Sequence, residues 1–310
     1  MRTSDRMRWR RLILAGLAGY VALAAGCAPQ ANHGPPVAIG VESQYANILS
    51  QVGSPYVTVR AIETNPNTDP HDFEASPAVA REIDRASLIV ENGLGYDAWI
   101  EPLIAAVPRT NRRVLVVSRL LGLPADTVNP HLWYDPHTMP AVARAAAAAF
   151  AAMDPAHAAY FAANARRFDA SLTPWRRQIA AFRARYAGTP VAVTEPVADL
   201  LLQAAGCRIL TPMALQLALM NGTDPSPQDV ATEQALLRDR SVKVFVYNQQ
   251  VTDALTTSLL QLARSEHIPV VGVYETMPQP GYDYQRWMVA QMRTLRAAVA
   301  RGVSTDTLGR

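Results

Sequence analysis

The sequence predicts an α/β protein of two similar lobes, each built on a parallel sheet, with one long helix dividing them. Three observations carry that expectation. Short apolar runs alternate with helical patterns of about ten to fifteen residues across 37–153, the signature of βαβ units. The same alternation returns across 188–301. Between the halves, 154–187 contains no glycine and, after Pro155, only Pro174, while Tyr160, Phe161, Phe168, Trp175, Ile179 and Phe182 recur at helical spacing.

In the first half, strands are expected at 37–41, 57–62, 87–91 and 114–118, with helices between them. In the second half, strands are expected at 191–194, 243–247 and 269–273, and helices at 197–205, 252–265 and 282–300. Asp154 before Pro155 reads as an N-cap with proline at the first helical position, and Pro174 as a kink in a single helix. The turn-rich stretch from Met220 to Pro227 should end by capping a helix, and 302–310 should fray.

The first 27 residues read as a targeting segment. Arg2, Arg6, Arg8, Arg10 and Arg11 precede an apolar run too short to span a bilayer comfortably. That run ends in Leu23-Ala24-Ala25-Gly26-Cys27, which resembles a bacterial lipobox and makes Cys27 the candidate for lipidation. The Pro-, Asn- and Gly-rich stretch 28–36 then serves as a flexible tether. Of the 29 basic and 26 acidic residues, the leader holds five arginines and Asp5, so 24 basic face 25 acidic residues beyond it. No electrostatic case for nucleic acid survives. With Cys27 acylated, Cys207 has no partner, and it reads as a small buried side chain.

Four residues stand at equivalent strand ends, where an open parallel sheet presents its ligand crevice. His71 follows the second strand and His131 the fourth; Glu195 and Glu275 follow the first and last strands of the second half. Each has a plain alternative, as a solvated loop histidine or a carboxylate at a helix N-terminus. Jointly they predict one site between the lobes. His137, at a helix start, reads as exposed. No His-Glu-x-x-His helix, Gly-x-Ser-x-Gly elbow or phosphate-cradling glycine loop is present, which argues against the common hydrolase and nucleotide chemistries.

The stretches Asp69-Pro70-His71-Asp72-Phe73-Glu74-Ala75-Ser76-Pro77 and Asn129-Pro130-His131-Leu132-Trp133-Tyr134-Asp135-Pro136, with the loop from Thr223 to Pro227, resemble the metal-receptor lipoproteins of bacterial zinc, manganese and iron ABC importers. That family includes proteins also described as adhesins. The resemblance implies two α/β lobes on a rigid central helix, with His71, His131, Glu195 and Glu275 as metal ligands in the inter-lobe crevice. Glu275 replaces the family's usual aspartate. The histidine-rich loop of zinc members is missing, since 121–129 holds no histidine. Two imidazoles and two carboxylates without a thiolate suit Zn²⁺ or Mn²⁺, with Fe²⁺ behind, as a transported ligand. Asp69, Asp72 and Asp135 are candidates to orient the imidazoles. The implied setting is a monomer anchored by lipid to the outer face of the cytoplasmic membrane, serving an ABC permease and its ATPase. The alternatives are a metal-stabilised surface interaction protein and, behind it, a metalloenzyme.

Overall fold

In the computed structural model, residues 34–67, 70–278 and 280–308 are described. The targeting segment, Cys27 and most of the expected tether therefore lie outside the described residues, as do Thr68 and Asp69. Residues 35–310 form one compact unit. It contains two four-stranded sheets, and every pairing within them is parallel.

The first sheet holds β1 (Val37–Glu42), β2 (Thr58–Glu63), β3 (Leu88–Glu91) and β4 (Arg113–Val116) in the order β2-β1-β3-β4. The second holds β5 (Pro190–Val193), β6 (Arg208–Ile209), β7 (Val244–Asn248) and β8 (Val270–Val273) in the order β6-β5-β7-β8. The two orders are the same topology used twice. In each sheet the strand order reverses beside its first strand, which places a crevice at the carboxyl ends of the strands in both lobes. Fully buried strands such as β8, and β3 up to Val90, are apolar throughout and fit sheets covered on both faces. Gly40 lets β1 run close under the helix Ser43–Gly53, because a Cβ there would lie 2.1 Å from the Ala46 nitrogen.

The central segment departs from a single helix. Pro155–His157 form a 3₁₀ turn, followed by helices Ala158–Ser171 and Thr173–Tyr186. The break falls at Leu172, because Pro174 begins a new helix rather than bending the old one. Arg176 spans the break to Asp169 at 2.5 Å. Asp154 does not cap the helix; its carboxylate takes His157 Nδ1 at 2.6 Å instead.

A core cluster runs through both lobes and the central helices, with Trp133, Trp175 and Trp287 fully buried. Truncating one of these indoles to alanine would cost about 3–5 kcal/mol. The final helix, Tyr284–Arg301, adds a second bridge between the lobes. Its Gln285 exchanges hydrogen bonds with Gln51 of the first lobe at 3.0 and 2.7 Å, and Tyr284 donates its hydroxyl to the Trp133 carbonyl at 2.5 Å.

The stretch expected to fray is docked at 305–306. Thr305 pairs with β8, donating to the Val270 carbonyl at 2.8 Å and accepting from Gly272 N–H at 2.9 Å. Arg264 meets Asp306 at 2.5 Å. This docking needs Gly272, since a Cβ there would lie 1.9 Å from the Asp306 carbonyl oxygen. No helix among the described residues is long and apolar enough to cross a membrane.

Candidate metal centre

His71, His131 and Glu275 offer ligand atoms that all lie within 4.8 Å of one another. His71 sits in a 3₁₀ turn, Pro70–Asp72, just beyond β2. His131 precedes the turn Leu132–Tyr134, which drives Trp133 and Tyr134 into the core and so fixes the imidazole before them. Glu275 follows β8 and is wholly buried. The two imidazoles thus come from the first lobe and the carboxylate from the second.

One side chain determines how His131 presents itself. The Asn129 Oδ1 accepts the His131 backbone N–H at 2.9 Å, which identifies that atom as the oxygen, and His131 Nδ1 lies 2.9 Å from the same atom. An amide oxygen only accepts, so Nδ1 carries the proton and Nε2 presents a lone pair. Burial lowers the His131 pKa and keeps the ring neutral, although Glu275 pulls the other way. Nε2 nevertheless lies 3.1 Å from Glu275 Oε2.

Glu275 Oε2 accepts the Tyr96 hydroxyl at 3.1 Å and Oε1 accepts the Asn248 amide at 2.7 Å, so both oxygens act as acceptors, as in an ionised carboxylate. An ionised carboxylate oxygen therefore faces an imidazole lone pair across a hydrogen-bond distance. Two acceptors in that position repel unless a cation lies between them. His71 Nε2, 3.4 Å from the same oxygen, adds a third donor to that point. The donor set fits a divalent transition ion of borderline softness.

Glu275 is held from both lobes. Gln44 donates to its backbone carbonyl at 3.1 Å, and Gln250 Oε1 accepts its backbone N–H at 2.6 Å. Tyr96 donates its hydroxyl to Glu275 Oε2 at 3.1 Å, and Tyr134 donates to the Tyr274 carbonyl at 2.9 Å. Glu195, also buried, lies outside the three-residue convergence. It joins the centre through Asn248, whose amide nitrogen is 3.1 Å from Glu195 Oε2 and 2.7 Å from Glu275 Oε1. Asn129 also donates to the Pro196 carbonyl at 2.8 Å, tying the His131 turn to the Glu195 loop.

A crevice of about 1190 Å³ leads to the His71 side of the centre. Glu63, Glu74, Asp224 and Asp253 are in its walls, and among the described residues no lysine or arginine lines it. The carboxylates of Glu74, Asp224 and Asp253 favour the approach of cations. Burial pushes the Glu63 carboxyl up to about 8, with Trp99 opposing the shift through a 3.0 Å hydrogen bond.

Of the aspartates expected to orient the imidazoles, Asp69 and the Asp72 side chain lie outside the described residues, and Asp135 is engaged elsewhere. Asp135 accepts the His137 backbone N–H at 2.7 Å, and Asn129 orients His131. His137 is exposed, as its place at a helix start implies. Burial pushes the Cys207 thiol up to about 12, so it stays protonated and inert.

A family profile described as zinc-uptake complex component A, periplasmic (ZnuA), matches residues 42–298. The chain belongs to this family. Among its relatives are provisionally described metal-binding proteins of Treponema pallidum, 27% identical over 201 residues, and of Thermotoga maritima, 30% identical over 105 residues. The first match covers 56% of this chain and 63% of the relative, and the second 34% and 36%. The chain thus spans less than two thirds of the curated relatives it matches.

Two solved structures share this fold. The periplasmic zinc-binding protein TroA of Treponema pallidum superposes with a TM-score of 0.70 at 15% identity, covering 87% of this chain and 100% of that one. FpvC of Pseudomonas aeruginosa, solved with Mn²⁺, superposes with a TM-score of 0.69 at 20% identity, covering 86% and 98%. The three chains therefore share one fold.

Proposed function

We propose that the chain is an extracytoplasmic solute-binding protein that captures a divalent transition metal and delivers it to an ABC importer. The observation that carries this reading is the buried confrontation of His131 Nε2 and Glu275 Oε2 at 3.1 Å, which a cation resolves. His71, His131 and Glu275 would hold the ion, with Glu195 as the fourth ligand. The family's zinc-uptake description supports Zn²⁺ as cargo. The Mn²⁺ and Ni²⁺ bound by FpvC keep Mn²⁺ among the candidates, with Fe²⁺ behind.

The remaining particulars belong to the same proposal. The protein works as a monomer, anchored through a lipid on Cys27 to the outer face of the cytoplasmic membrane, where it meets a permease powered by its ATPase. Its role is carriage rather than catalysis, because ligands drawn from both lobes enclose an ion more readily than they leave it an open position for substrate.

The test is calorimetric titration of the metal-stripped protein with Zn²⁺ and Mn²⁺, in wild type and His71→Ala. One-to-one binding that the substitution abolishes supports the reading. No saturable binding of either ion by the folded protein overturns it.

A further inference from the structure

We propose that Asn248 is a specificity-determining residue, holding both carboxylates to one oxygen each and so favouring a four-coordinate ion of the zinc type over manganese. The inference rests on the metal-receptor reading above and deepens it. Its ground is the environment of a single amide. Asn248 ends β7 and is 1% exposed. Its backbone N–H donates to Thr194 Oγ1 at 3.0 Å, and its Oδ1 accepts the Gln250 backbone N–H at 3.1 Å. With the oxygen so committed, the amide can point only its NH₂ group at the carboxylates.

That group donates to Glu275 Oε1 at 2.7 Å and to Glu195 Oε2 at 3.1 Å, which uses both of its hydrogens. Glu275 therefore has its two oxygens assigned to different tasks. Oε1 is held by Asn248, while Oε2, which also accepts the Tyr96 hydroxyl at 3.1 Å, faces His131 Nε2 at 3.1 Å and His71 Nε2 at 3.4 Å. A chelating carboxylate must bring both oxygens to the ion, and here that would pull Oε1 away from the Asn248 amide and weaken the 2.7 Å bond that positions it. The same amide restrains Glu195 by the same means.

Two imidazole nitrogens and one oxygen from each carboxylate make four donors. Four donors of mixed nitrogen and oxygen suit zinc, which is held tetrahedrally, whereas manganese favours a larger shell rich in oxygen. On the buried side of the centre, where His131 and Glu275 lie, that larger shell would have to come from chelating carboxylates. Asn248 withholds them.

Co²⁺, whose absorption is strong in four-coordinate and weak in six-coordinate sites, reports the coordination number directly. Wild-type protein loaded with Co²⁺ is expected to show strong visible absorption. In Asn248→Ala, that absorption should weaken, and the preference for Zn²⁺ over Mn²⁺ measured by calorimetry should fall by about 10-fold or more. A weak, six-coordinate spectrum in wild type overturns the inference even if the variant fails to fold, and it leaves the receptor reading standing. A folded Asn248→Ala with unchanged spectrum and unchanged Zn²⁺/Mn²⁺ ratio also overturns it. Absence of Co²⁺ and Zn²⁺ binding in wild type overturns both readings.

Discussion

Replacing Asn129 with leucine tests how the centre is built. The side chain makes three hydrogen bonds, to His131 N at 2.9 Å, His131 Nδ1 at 2.9 Å and the Pro196 carbonyl at 2.8 Å. Losing them should lower stability by about 2–3 kcal/mol, at roughly 1 kcal/mol per bond. The larger consequence is for the metal. Without an acceptor at Nδ1, the His131 proton can move to Nε2, where it blocks coordination, and the ring can rotate. Loss of a partner that orients a ligating imidazole typically costs 10–100-fold in affinity, about 1.4–2.8 kcal/mol. Calorimetric titration of Zn²⁺ into the stripped variant measures this. Asn129→Asp separates the two roles, since it keeps the acceptor for Nδ1 while losing the donor to Pro196. The aspartate variant should bind within about 3-fold of wild type, well inside the 10-fold lower limit for the leucine variant. A folded leucine variant with wild-type affinity would refute the reasoning, and an aspartate variant as weak as leucine would assign the effect to the Pro196 link instead.

Three further outcomes follow from the same structure. Glu233 is wholly buried and its carboxyl is pushed up to about 7 by burial, against a 3.2 Å hydrogen bond from Thr211. A folded pKa above the unfolded one means that stability falls as pH rises between the two, from about 4.5 to about 7. Glu233→Gln should therefore melt like wild type at pH 5 and higher than wild type at pH 8, by up to about 3 kcal/mol in stability; equal melting at pH 8 counts against it. Gly272→Ala should displace the chain end from β8, because its Cβ would lie 1.9 Å from the Asp306 carbonyl oxygen, and thermal unfolding should show a loss of about 1–3 kcal/mol. Zn²⁺ at about 100 times its Kd should stabilise the stripped protein by about 2.7 kcal/mol, read as a raised Tm that a chelator reverses; an unchanged Tm would mean that the ion does not bind the folded state preferentially.

Much of the arrangement was legible in the sequence for a simple reason. In a parallel α/β lobe, functional side chains gather at the carboxyl ends of strands, and His71, His131, Glu195 and Glu275 each stand immediately after an apolar run or in the loop that follows one. The structure brings three of them within 4.8 Å and leaves Glu195 one amide away. Asn129 and Asn248 escaped notice because amides carry no charge and rank low as metal ligands, yet Asn248 obeys the same strand-end rule. What failed was non-local. The two residues of β6 are too few to show a period, and the apolar helix Met213–Met220 has little polar face to betray one. The stretch around Thr305 and Asp306 looks featureless alone and is placed only by docking against Gly272, more than thirty residues earlier.

The central claim is that His71, His131 and Glu275 enclose one transition-metal ion. Anomalous diffraction from crystals of the Zn²⁺-loaded protein, collected on both sides of the zinc absorption edge, tests it most directly. The account predicts a single strong peak at about 2.0–2.2 Å from His71 Nε2, His131 Nε2 and Glu275 Oε2. A peak held by other residues, or no peak in crystals grown with zinc, would contradict it.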